Sequence, residues 1–221
     1  MGNLKLCVMD AQFWRLKWKT NDIGFHQPRA NPLLVEHFEK LALRPGNRVF
    51  LPLCGKTLDI GWFLSQGCRV AGVELSEIAI QQLFEELRLK PQISKSGGMN
   101  RYRAANIDIF GGDLFGLTRK MLGPVDAVYD RAALVALPPK MRRKYSAHLM
   151  TITNRARQLL IGYTYDQSVM DGPPFSLSNE EVNQLYGENF NLSLVASVGV
   201  PNGLKGKAEA RENVWLLGRD F

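Results

Sequence analysis

Cysteine is scarce in this chain and badly spaced for structural chemistry. Only Cys7, Cys54 and Cys68 occur, an odd set with no CxxC pair. That argues against a disulfide scaffold or a zinc site and for a reducing compartment. Histidine is equally rare, and His26, His37 and His148 show no ligand spacing. No apolar run approaches a membrane span. The first residues, MGNLKLCVMD, hold too little apolar sequence for a secretory signal. There is no GxSxG elbow, no HExxH and no acid cluster with metal spacing. Full GxGxxG is missing, and the GKT at 55–57 is not a P-loop, because Phe50 stands where a glycine is required. These absences describe a site that binds and orients rather than one that supplies a nucleophile or a metal.

What is present centres on Arg48 to Ser76. An apolar run, Val49 to Leu53, ends at a loop holding Gly55. A helical segment follows, stopped by Gly67, and a second apolar run, Val70 to Val73, ends on Glu74. Strand, glycine loop, helix, strand and acid make a nucleotide-binding βαβ unit, with the acid nineteen residues beyond Gly55, near the spacing of a ribose-binding carboxylate. One glycine suits a phosphate-free nucleoside better than a dinucleotide, whose pyrophosphate needs close backbone approach. A purely structural βαβ unit is the alternative.

Around this unit the chain alternates helices and strands, which implies an α/β sandwich with a mostly parallel sheet. Asp10 to Lys19 reads as a helix capped by Asp10, with Trp14 and Trp18 on one face. The turn-rich segment 20–32 carries Phe25 and His26, an aromatic pair suited either to a pocket or to local packing. Asn31 and Pro32 open a second helix, and Ser76 caps one running to about Leu87. Residues 90–101 read as a loop or hairpin tip, and Tyr102–Ala105 and Ile107–Phe110 as antiparallel strands. Thr118 starts a short helix, Val125–Tyr129 is a buried strand, and Pro138-Pro139 precedes a basic helix. Gln158–Tyr165 is a strand, Ser178 and Glu181 form a capping box, and 192–200 with 212–218 suggest a terminal hairpin. One domain is expected over 10–221, with 1–9 a disordered extension, or 1–8 a stretch preceding a natural start at Met9.

Net charge is +7 and the pI about 9.4. The basic residues form no single run, and the densest cluster, Lys140 to Lys144, reads as a solvated helix face or an attractor of small anions. Ligands of such sheets bind above the carboxyl ends of the strands. Those ends carry Leu53-Cys54-Gly55, Glu74, Asp113-Leu114, Asp130-Arg131 and Tyr165-Asp166. Cys54 reads as a buried packing residue.

At these residues the sequence closely resembles the thiopurine S-methyltransferase family of class I S-adenosylmethionine-dependent methyltransferases, its bacterial members most of all. The matching strings are FWRLKW (13–18), IGFHQ (23–27), NPLL (31–34), VFLPLCGKT (49–57), VAGVELSE (70–77), VYDRAALVALPP (128–139) and DGPPFS (171–176). The resemblance implies a Rossmann-like, mostly parallel seven-stranded sheet with helices on both faces and a C-terminal antiparallel strand. It implies S-adenosylmethionine as cofactor, S-adenosylhomocysteine as product, no metal, and a thiol or metalloid acceptor. Selenium and tellurium species are acceptors associated with such bacterial enzymes. A monomeric cytoplasmic protein without nucleic-acid or membrane partners is expected.

Carried over by position, Trp14 and Trp18 would cover the cofactor and Leu53 would touch it. Glu74 would take the ribose hydroxyls, and Asp113 and Leu114 would flank the adenine. Arg131 would be catalytic, near the methionine end and the acceptor sulfur, and Phe25 would face the acceptor. The alternative for Arg131 is a salt bridge to Asp130 or Glu74. Lys205, Lys207 or Arg211, in a loop matching no motif, is a further substrate contact left unassigned. Rival functions are a methyltransferase for another acceptor and a non-enzymatic cofactor-binding scaffold. A DNA amino-methylating enzyme is disfavoured because GPPF has glycine at the motif's polar position and follows the fifth strand.

Overall fold

The structure, a computed structural model, describes residues 11–219. The expected cap Asp10, Cys7 and the expected N-terminal extension lie outside them, apart from the helix itself.

Nine strands form one sheet in the order β3-β4-β5-β2-β1-β6-β7-β9-β8. They span Arg48–Leu51 (β1), Arg69–Glu74 (β2), Gln92–Ser96 (β3), Met99–Ala104 (β4), Ile107–Gly111 (β5), Ala127–Arg131 (β6), Arg157–Tyr165 (β7), Asn191–Gly199 (β8) and Ala210–Gly218 (β9). Strands β5, β2, β1, β6 and β7 run parallel. β9 is antiparallel to both β7 and β8. The α-helices are α1 (Ala11–Lys19), α2 (Pro32–His37), α3 (Asp59–Ser65), α4 (Glu77–Glu86), α5 (Arg119–Leu122), α6 (Pro139–Thr153) and α7 (Asn179–Tyr186), with short 3-10 turns in the connections.

The central strands are buried on both faces, so they read as continuous apolar runs rather than alternating ones. Phe50, Phe110 and Val128 face one core, filled by Tyr145, Leu149 and Ile152 of α6 and by Val182 and Tyr186 of α7. Val49, Ile109 and Tyr129 face the other, filled by Leu33 and Leu34 of α2, Ile60 and Phe63 of α3, and Ile80 and Leu83 of α4. Side chains cap the helices where the residues predict it. Asn31 accepts from the N–H groups of Leu33 and Leu34, Ser76 from Ala79 and Thr118 from Met121.

The structure corrects several expectations. The sheet has nine strands, not seven, because β3 and β4 form an added antiparallel hairpin outside β5. β3 is an exposed edge strand held by backbone pairing, so it carries no hydrophobic pattern. β6 starts two residues later than read and includes Asp130 and Arg131. Asp130 tolerates this position because it is satisfied by the Tyr145 hydroxyl at 2.7 Å and the Leu134 N–H at 3.1 Å.

The basic run on α6 is not wholly solvated. Arg142 is fully buried, donating to the carbonyls of Leu137 and Ser176 and pairing with Glu181 at 2.6 Å. Ser178 accepts from the Glu181 N–H at 3.1 Å as expected, while the Glu181 carboxylate is taken up by Arg142.

Candidate active site

The carboxyl edge of β1 and β2 is tied together by one carboxylate. Glu74 is 5% exposed; its Oε2 accepts from the Gly55 N–H and its Oε1 from the Ser76 N–H, both at 2.8 Å. Burial pushes its pKa up, against the pull of backbone N–H groups from Ser76, Gly55 and Leu75. With three backbone donors on about four lone-pair sites, the carboxylate keeps acceptor capacity for a ligand hydroxyl.

Gly55 has φ +53, and a Cβ built there would lie 2.9 Å from the Trp18 ring. The indole therefore sits directly on the bare turn, which only glycine allows. The preceding turn residue Leu53 also has positive φ, +46, and is half-buried against the core. Cys54 is buried beneath the loop, its Sγ over Gly72, where a Cβ would lie 2.8 Å away. Burial, with Glu74 adding to it, holds its thiol well above the ordinary range, as a packing residue requires.

α1 roofs this loop. Trp14 and Trp18 both meet Phe25 edge-on, at ring-centroid distances of 5.8 and 5.6 Å. Phe25 is 37% exposed, Trp14 is half-buried and Trp18 is buried. The segment carrying Phe25 and His26 is anchored where the Asn31 N–H donates to Asp59 Oδ1 at 2.7 Å. Asp59 Oδ2 in turn accepts from the Tyr129 hydroxyl at 3.1 Å. His26 lies among Lys56, Glu86, Arg131 and Asp59, and burial first, then Lys56, lowers its pKa.

At the β5 end, Asp113 is exposed and accepts from the Phe115 N–H at 3.0 Å. Leu114 is 2% exposed, with its side chain in the core and its carbonyl bonded to His148 Nε2 at 2.9 Å.

Arg131 closes β6. Neither salt-bridge partner considered from sequence holds it, since Asp130 is bonded to Tyr145 and Leu134, and Glu74 to Gly55 and Ser76. Among the described residues no carboxylate comes within ion-pair distance of it. Its neighbours are instead Tyr163, whose hydroxyl interacts with it, and Glu212, whose charge it stabilises.

Tyr163 and Glu212 are cross-strand partners on β7 and β9, and Arg131 pairs with Ile161, two residues before Tyr163. Strand alternation puts all three on one face. Tyr163 and Glu212 were not foreseen, nor were Asp59 and Tyr129. A signal for Glu212 exists: it stands in phase with buried Val214 and Leu216, a charge on a core-facing register.

The loop 200–209 lies beside the end of α1, where Lys205 is close to the charges of Lys17 and Asp22. Lys205 donates to the Pro173 carbonyl at 2.7 Å, within the GPPF string. Arg211 points to the other sheet face and binds Ser197 Oγ at 2.8 Å and its carbonyl at 2.6 Å, so it is spent on structure. Lys207 is exposed.

The family model described as thiopurine S-methyltransferase (TPMT) matches residues 9–220. A thiopurine S-methyltransferase of Xanthobacter autotrophicus is 52% identical over 212 residues, covering 96% of this chain and 100% of the relative. One of Teredinibacter turnerae is 48% identical over 213 residues, covering 96% and 99%. Among solved structures, the chain resembles a Burkholderia thailandensis 1,6-didemethyltoxoflavin-N1-methyltransferase bound to S-adenosylhomocysteine. The TM-score is 0.66 at 15% identity, covering 100% of this chain and 92% of that one. It also resembles magnesium protoporphyrin IX methyltransferase from Synechocystis, with TM-score 0.60 at 16% identity, covering 95% and 100%. These two likenesses establish the Rossmann-like methyltransferase fold.

Proposed function

The chain belongs to the thiopurine S-methyltransferase family, and we propose that it moves the methyl group of S-adenosylmethionine onto the sulfur of aromatic and heterocyclic thiols. The observation that carries this reading is the pairing of two charges along one carboxyl edge. Glu74 ends β2 and Arg131 ends β6, with β1 between them, so they stand about 10 Å apart by strand spacing.

The residues fit the cofactor. Glu74 has acceptor capacity for ribose hydroxyls, and the bare Gly55 turn lets Trp18 seat against the loop. Trp14 and Trp18 would cover the bound molecule, Leu53 would touch it, and Asp113 and Leu114 would border the adenine. When bound, S-adenosylmethionine supplies an electrophilic methyl carbon on a sulfonium.

The chain's own residues then have a modest task. Arg131, always charged, holds an anionic acceptor sulfur in line, and Phe25 stacks against the acceptor's ring. Trp14, Trp18 and Phe25 exclude water from the crevice. A thiolate meeting a sulfonium loses charge, so proximity and orientation supply most of the rate.

We further read the protein as a monomeric, cytoplasmic enzyme with small-molecule acceptors, selenium and tellurium species among them. No helix among the described residues is long and apolar enough to cross a membrane. The test offers S-adenosylmethionine with 6-mercaptopurine, selenite or tellurite and follows methylated product by mass spectrometry. Product from the thiopurine supports the reading. Cofactor binding without product from any of the three refutes it in favour of a scaffold or another acceptor.

A further inference from the structure

One charged group at this site has no task in the reaction as derived. Glu212 lies across from Tyr163 in the β7–β9 ladder, and its Oε1 is buried without a hydrogen-bond partner among the described residues. The groups acting on it come from four elements. They are Arg131 and Tyr129 on β6, Tyr163 on β7, Asp59 at the start of α3, and Asn31 at the cap of α2. Arg131, Tyr163 and Asn31 favour the ionised carboxylate, while burial and Asp59 oppose it, burial most strongly, and its pKa is raised. A buried carboxylate oxygen with no donor is costly as an anion and is relieved by protonation.

We propose that Glu212 takes up, by way of the Tyr163 hydroxyl, the proton that a thiol acceptor gives up beside Arg131. This rests on the methyl-transfer reading, which puts the acceptor sulfur at Arg131. Before the acceptor arrives, Glu212 is the anion nearest in function to Arg131. A thiolate at the guanidinium competes for that positive charge, and the proton affinity of Glu212 rises as its counter-charge is shared.

The acceptor's S–H bond breaks and its proton passes to the Tyr163 oxygen. The hydroxyl proton of Tyr163 passes to the Glu212 carboxylate. The sulfur lone pair then forms the bond to the methyl carbon as that carbon's bond to the sulfonium breaks. Glu212 returns its proton to solvent after the thioether leaves. One anion replaces another at Arg131, and the pocket's net charge is unchanged through the proton transfer.

The test counts protons. Wild-type protein saturated with S-adenosylhomocysteine is titrated with 6-mercaptopurine in two buffers of different ionisation enthalpy, at a pH below the ligand's own ionisation. Ligand absorbance reports thiolate. Wild type is expected to bind thiolate with close to zero protons released. Glu212→Gln is expected either to release close to one proton per thiolate bound or to bind the neutral thiol.

Tyr163→Phe is expected to match Glu212→Gln, which keeps the test intact should one variant fold poorly. A merely structural Glu212 would change affinity and leave the proton count alone. Thiolate bound without proton release in both variants overturns the proposal, as does full release by wild type. Failure of wild type to bind 6-mercaptopurine at all would instead remove the methyl-transfer reading on which it rests.

Discussion

Glu74 Oε2 accepts the Gly55 N–H at 2.8 Å, so the acid at the end of one strand holds the glycine loop at the end of its neighbour. Charged hydrogen bonds of this kind contribute roughly 1.5–3 kcal/mol. Glu74→Ala is expected to weaken S-adenosylmethionine binding about 10- to 100-fold by calorimetry and to lower the melting temperature, because the Gly55 N–H loses its partner. Unchanged affinity would remove Glu74 from the cofactor site.

Gly55 and Trp18 form the second coupling. Gly55→Ala puts a methyl group into a positive-φ turn and against the indole. A loss of about 1–3 kcal/mol in urea denaturation is expected, together with a shift in tryptophan emission and weaker cofactor binding. A variant with wild-type stability and emission would show that the ring does not rest on the loop.

Arg131 separates chemistry from folding. With no ion pair to lose among the described residues, Arg131→Ala should melt within a few degrees of wild type while methyl transfer falls on the order of 100-fold, a typical loss for one preorganised electrostatic contact. Collapse of the fold would reveal a structural role instead.

Asp130 gives a pH prediction with a definite sign. Burial raises its pKa from 3.8 to about 6. The folded state therefore binds a proton more readily than the unfolded chain, and Asp130 lowers stability as pH rises from about 4 to about 6, by on the order of 3 kcal/mol. The stability difference between wild type and Asp130→Asn should follow that slope and flatten above about pH 7. A pH-independent difference would contradict the assignment.

Arg142 tests the buried end of the basic helix. Arg142→Ala breaks a buried pair with Glu181 and two carbonyl bonds, for an expected loss of about 3–5 kcal/mol. Exposed Arg143→Ala should stay within about 0.5 kcal/mol. Equal effects by denaturant titration would mean that the α6 basic run is uniformly solvated.

How far the sequence could be read follows from where the information resides. The βαβ unit was legible because burial on both faces makes β1 and β2 apolar runs, and because glycine and acid mark their ends. Asn31, Ser76, Thr118 and Ser178 announced their helices through local capping chemistry. β3 was not legible, since an exposed edge strand needs only backbone partners. Arg142 looked like its solvated neighbours because its partners, Leu137, Ser176 and Glu181, come together only in the tertiary fold. The same holds for Glu212, whose charge Arg131 stabilises across two strand pairings although the two lie about eighty residues apart in sequence. Glu74 and Arg131 end their strands as read, whereas Leu53 lies two residues past the end of β1 in a turn; Tyr163 required the strand register, and Asp59 and Tyr129 required the tertiary fold.

The central claim is that methyl transfer at this carboxyl edge goes to sulfur. The most direct measurement supplies S-adenosylmethionine carrying a carbon-13 methyl group with 6-mercaptopurine, and locates the label in the product by nuclear magnetic resonance. The account predicts the chemical shift of an S-methyl thioether and no label on ring nitrogen. Label on nitrogen, or none on the thiopurine while the cofactor binds tightly, would contradict it.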